Sequence, residues 1–150
     1  MSASFLIDRD SKSVLAGGQR VFVALVGGLL IVLLALAAML HADKRGWGTH
    51  EQLGVPPCTF VVLFGMRCPS CGMTTAWVHL VQGRPLEALQ AHVVGTMLAA
   101  AACGGGIWML ACAALGRWFL GRPSERILLP AAFVTLVLLT VEWGIRLSGY

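Results

Sequence analysis

VFVALVGGLLIVLLALAAML, residues 21–40, is twenty residues long and carries no charge. A helix needs about 20 apolar residues to cross the hydrocarbon core of a bilayer, so this run is long enough to span it. The rival reading is a cleaved signal peptide with Ala35-Leu36-Ala37 as its small-residue site. A signal core is about 7–15 residues, whereas this run stays apolar to Leu40 behind a long leader with Asp8 and Asp10. A retained helix is the expectation.

The same pattern recurs further along. No charge falls between Glu87 and Arg117, or between Arg126 and Glu142. The chain as a whole is 57% hydrophobic and 12% charged, about half the charge of an ordinary soluble domain. Mean hydropathy is +0.79. These features predict an all-α membrane protein with three transmembrane helices at about 21–40, 91–115 and 127–147. A flexible tail, 1–20, precedes a single membrane domain, 21–150. Its immediate partner is the lipid bilayer. The net charge of +4 includes no basic run with interleaved aromatics, so nucleic acid is not an expected partner.

The positive charges flank the apolar runs, as topology signals do. Arg9, Lys12 and Arg20 in the tail and Arg117, Arg122 and Arg126 in the short turn share one side of a three-span chain. Lys44, Arg45, Arg67 and Arg84 are spread thinly through the loop 41–90, with Arg146 near the same side. The denser side is expected inside, which makes the N-terminus cytoplasmic and the 41–90 loop extracytoplasmic, in a bacterial inner membrane. Trp47, Trp118 and Trp143 fall near span ends, where an aromatic belt would lie.

The chemistry is concentrated in that loop. HADKRGWGTHEQLGVPPC is loop-like, CTFVVLFGM is apolar but too short to span, and Cys68-Pro69-Ser70-Cys71-Gly72 follows. A short re-entrant or interfacial helical segment carrying this motif is expected between the first two spans. A fourth full span over 55–82 is the alternative, and it would put Arg67 and the motif at mid-membrane, where polar groups are costly. Met73, Ala76, Trp77 and Leu80 mark one face of a helix beginning after Gly72; Gly83 ends it, and Pro85 suits the first position of the next. Thr74 and Thr75 would cap that helix or face the thiols, capping being the simpler role.

Of five cysteines, Cys103 and Cys112 lie inside the second span, nine residues and thus about 180° apart on a helix, and behave there as small apolar residues. The glycines beside Cys103, Gly104 to Gly106, suit a tight helix crossing or a kink. Cys58, Cys68 and Cys71 lie together in the loop. In an oxidising compartment two of them can pair and leave an odd thiol, or the set can hold a metal, zinc or copper, with His50 as a further candidate ligand. A helix N-terminus after Cys71 would also lower thiol pKa and favour exchange chemistry. His79, eight residues beyond Cys71, stands about 12 Å along a helix, too far to share a ligand set. His92 is expected to anchor at the interface. Glu142 and Arg146, spaced i,i+4, form a simple ion pair near the headgroups, unless Glu142 faces the bundle interior beside the thiols.

From Gly48 to Leu89 the chain resembles the small bacterial membrane proteins grouped as domain of unknown function 2752. The resemblance rests on Gly54-Val55-Pro56-Pro57-Cys58, nine residues, then Cys68-Pro69-Ser70-Cys71-Gly72-Met73-Thr74-Thr75-Ala76. It implies a small multi-helix membrane protein and gives Cys58, Cys68, Cys71, Gly72 and Thr74 as site residues, with no particular activity. The family often has Asn-Pro at the entry to the next span, where this chain has His92-Val93.

Three functional readings stay open. In the first, the cysteines form a structural disulfide or metal knot, in a protein that has a membrane-protein partner or stands alone. In the second, Cys68 and Cys71 are the catalytic pair of a membrane thiol-disulfide oxidoreductase. In the third, the protein handles metal.

Overall fold

The computed structural model describes residues 14–119 and 123–148. Most of the expected tail, with Arg9 and Lys12, lies outside the described residues, as does Arg122. The elements are α1 (Gly17–Met39), a 3-10 segment (Thr49–Leu53), α2 (Thr59–Phe64), α3 (Met73–Val81), α4 (Pro85–Ala91), α5 (Val93–Leu115) and α6 (Glu125–Ser148). Among the described residues there is no strand, only an isolated bridge between Val14 and Arg117.

Three helices are long and apolar enough to cross a membrane: Gly17–Met39, Val93–Leu115 and Arg126–Ser148. At 23 residues each they reach about 34 Å, slightly more than a hydrocarbon core of about 30 Å. The fourth-span alternative is overturned. Gly65, at φ 66°, ends α2 after six residues, and the chain turns through the cysteine motif before α3 begins.

α1 and α5 form the central pair. Val23, Gly27, Leu34 and Ala37 are the buried residues of α1, at spacings that keep them on one stripe. The buried residues of α5 include the small side chains Ala99, Ala102, Gly106 and Ala113, which let two backbones approach closely, while Gly95 lies against Met73 of α3. The approach is tightest at Gly27, where an added Cβ would lie 3.1 Å from the Gly106 carbonyl oxygen and 3.0 Å from Met109 Cβ. Of the glycine triplet only Gly106 serves the crossing; a Cβ on Gly104 or Gly105 would meet no described atom within 4 Å.

The first helix starts at Gly17, four residues ahead of the apolar run, because Arg20 has a partner there. Its guanidinium donates to the carbonyls of Ala113 and Ala114, which the end of α5 leaves without helical partners. Leu15 N donates to Gly116 O at 2.9 Å. Leu15, Val23, Cys112 and Ala113 form a small core beneath Trp108 and Trp118, whose rings lie 5.2 Å apart. Cys112 is fully buried there, as its reading as a small apolar residue requires.

α6 is different. No residue of its apolar window is buried inside the protein, and Ile127, Leu129, Phe133 and Leu136 are each more than 60% exposed. Pro130 falls inside the helix, which begins at Glu125. What holds α6 is its last turns, described next.

Candidate functional site

Cys58 comes from one direction and the Cys68/Cys71 pair from another. Pro56-Pro57 stiffens the approach, and Cys58 is the residue before α2, with its carbonyl accepting from Val61 N and Val62 N. After Gly65 the chain doubles back. Cys71 N donates to Cys68 O at 3.0 Å and Met73 N to Ser70 O at 3.1 Å, two successive turns that put Cys68 and Cys71 side by side. Their sulfurs are 3.2 Å apart, and the Sγ atoms of Cys58, Cys68 and Cys71 all lie within 4.8 Å of one another. No other group of three metal-binding side chains occurs among the described residues.

The two motif thiols are unequal. Burial raises the Cys68 thiol, but hydrogen bonds from Ser70, Cys71 and Cys58 outweigh it and hold the group below its ordinary value. Burial, with the hydrogen bond to Cys68 added, pushes Cys71 up to about 12. The first sulfur ionises at the expense of the second, so together they carry one negative charge before they carry two.

Gly72 is required by the backbone. It has φ 96°, a region that L side chains avoid, and a Cβ would lie 2.8 Å from Ala91 O and 3.0 Å from Gly46 O. It is also the residue from which α3 starts. The capping role for the threonines is corrected: no side chain caps α3. Thr75, fully buried, instead shares a 2.8 Å hydrogen bond with Thr49 Oγ1, which also accepts from Asp43 N. The 3-10 segment is thereby pinned to α3. Thr74 lines the cavity beside the cysteines.

Beneath the motif lies a polar clamp. His92, fully buried, begins α5. Its Nδ1 lies 3.1 Å from Gly95 N, the contact an N-cap side chain makes, and 2.9 Å from Glu142 Oε2. Its Nε2 lies 3.0 Å from Pro69 O, and because a carbonyl only accepts, Nε2 carries the proton. Here a histidine caps the helix at the place where the family often has Asn-Pro. His92 is therefore a structural strut rather than an interface anchor.

Glu142 completes the cap. Its two carboxylate oxygens accept from Val93 N at 2.8 Å and Val94 N at 3.0 Å, and it pairs with Arg146. Arg146 donates to Cys71 O at 3.0 Å and Ala91 O at 2.8 Å. Trp143 Nε1 donates to Arg67 O at 2.8 Å. The reading of Glu142 and Arg146 as a simple headgroup ion pair is thus replaced by the interior alternative. The signal was present in the sequence as an acid inside an apolar run; its partners, being backbone carbonyls and amides, left no trace there.

A cavity of about 600 Å³ opens beside the sulfurs. All three cysteines line it, together with His50, Thr74 and Trp77, and so do Leu33 and Leu36 from the end of α1 and Leu40 just past it. His50 borders the cavity without joining the sulfur cluster. His79 stands apart, 3.0 Å from Glu87, with burial lowering its pKa. Cys103 and Cys112 take no part in the cluster.

A family model described as protein of unknown function (DUF2752) matches residues 58–106, the family that the cysteine pattern resembles. The match begins on the first clustered cysteine and ends on the glycine of the α1–α5 crossing. No curated protein and no solved structure matches the chain.

Proposed function

We propose that Cys58, Cys68 and Cys71 hold one soft metal ion, zinc or copper, in a thiolate knot at the extracytoplasmic end of a three-span protein of the bacterial inner membrane. The observation that carries this reading is the convergence of three sulfurs rather than two. A disulfide needs only a pair, and nothing in a paired motif requires Cys58 to arrive from beyond α2. Tetrahedral thiolate coordination at about 2.3 Å separates sulfurs by about 3.8 Å, which falls within the 4.8 Å cluster. Soft thiolates select zinc and Cu(I) over hard cations. The density of Lys and Arg on the tail side supports a cytoplasmic N-terminus, and the family resemblance supports the bacterial setting.

Elemental analysis of the purified protein, combined with a thiol count, tests the proposal. One zinc or copper per chain, with the three thiols protected until acid releases the ion, is the expected result. A metal-free protein with a Cys68–Cys71 disulfide overturns it.

A second reading has its own observation. The unequal thiols, Cys68 lowered and Cys71 raised to about 12, resemble the attacking and buried sulfurs of an exchange pair. Their 3.2 Å separation would have to close to about 2.05 Å. In a metal-free protein, a reduction potential near those of exchange catalysts supports this reading, and one below about −300 mV leaves a structural disulfide.

A further inference from the structure

We propose that the three-sulfur centre keeps its fourth coordination position for a membrane-soluble small molecule with an apolar body and a single soft donor atom. This deepens the metal-centre reading and rests on it. Three protein ligands with a fourth position free is the arrangement of metal sites that bind exogenous ligands, whereas purely structural sites are closed by four. No fourth metal-binding side chain joins the cluster among the described residues. Because all three cysteines border the same cavity, an ion held between them presents its remaining face to that space.

The cavity matches the proposed ligand. Its volume of about 600 Å³ lies within the range of about 300–1,000 Å³ typical of small-molecule sites. Its lining combines polar groups, the thiols with His50 and Thr74, with the apolar side chains of Leu33, Leu36 and Leu40. Those leucines belong to the last turns of a membrane-length helix and its immediate exit. Leu33 and Leu36 are each 42% exposed, so the wall is shared with the surface that a bilayer would cover. A molecule dissolved in lipid has a short path in, with its tail along α1 and its donor at the metal.

The experiment uses the full-length protein in nanodiscs, loaded with Co(II), whose visible spectrum reports its ligands. Ethanethiol and octanethiol are the probes; they share a donor and differ in chain length. Octanethiol is longer by about six methylenes, each worth about fourfold when buried, so burial of only half of them lowers the concentration at which it alters the spectrum by about sixtyfold. Leu36→Trp and Leu53→Trp narrow the cavity at two lining positions that are 42% and 53% exposed. Both are expected to bind cobalt one to one and to lose most of octanethiol's advantage while keeping the ethanethiol response. Partition of octanethiol into lipid is common to all three proteins and cancels in that comparison. A cobalt spectrum insensitive to both thiols overturns the inference, as does an octanethiol advantage that both variants retain. Failure to bind cobalt or zinc at all overturns the metal centre itself, a distinguishable result.

Discussion

The α1–α5 pair and the α6 helix are held by opposite means. α1 and α5 pack along their length through small residues, with Gly27 against Gly106 at the closest point. α6 contributes no buried residue from its apolar window and is fastened near its end by Glu142, Trp143 and Arg146. In lipid, apolar side chains gain little by leaving the bilayer for a neighbouring helix, so close packing and hydrogen bonds decide association. The first pair relies on packing along its length, with the hydrogen bonds of Arg20 and Leu15 at one end only, and the third helix relies on hydrogen bonds. Only the second device touches the cysteine site, because Arg146 and Trp143 donate to carbonyls within and just before the motif.

The largest effect is therefore expected from Arg146→Met. It removes the donor to Cys71 O and Ala91 O and leaves Glu142 without its cation. Breaking one side of such a pair costs about 3–5 kcal/mol. Limited proteolysis should release α6 while α1 and α5 stay protected, and maleimide should reach Cys71 faster; simultaneous loss of all three helices would erase the distinction between the two regions. Gly27→Leu comes next, at about 1–3 kcal/mol from overpacking. It should lower the thermal stability of the α1–α5 pair and leave the protease resistance of α6 comparatively intact.

Thiol chemistry sharpens the comparison inside the site. Lowering a thiol's pKa raises its thiolate fraction at any pH below the ordinary 9.0, and raising it does the reverse. In metal-free, reduced protein near pH 8, mass spectrometry should find Cys68 alkylated well before Cys71, whose turn comes only as pH rises toward about 12. Equal rates would mean that the hydrogen bonds to Cys68 are absent in the membrane. The smallest effect is expected from Leu136→Ala on α6, within about 0.5 kcal/mol, since that side chain is 61% exposed. A larger loss would show that α6 packs against something besides lipid.

Much of this was legible in the sequence. Charge-free runs of bilayer length depend only on composition, so the three long helices were visible, as was a short helical segment between the first two, although the cysteine motif lies in the turns that follow α2 rather than on a helix. The cysteine cluster was visible as a group, because Cys58, Cys68 and Cys71 share one loop. The clamp was not. His92 and Arg146 act on the carbonyls of Pro69, Cys71 and Ala91, and a carbonyl has no letter in a sequence. Thr75 was misjudged for a related reason: its partner, Thr49, is distant in sequence and belongs to a segment with no periodic signal.

Gly72 has a consequence for any mutational screen of the pentapeptide. An alanine there meets two main-chain oxygens and an unfavourable dihedral, so the variant should score as badly as a cysteine knockout. Ranked by phenotype alone, a position with no side-chain atom to react would be mistaken for part of the chemistry. Under the proposed metal centre, assaying each variant for bound metal per folded molecule separates them: survivors of the glycine change should carry an ion, and survivors of a cysteine change should not.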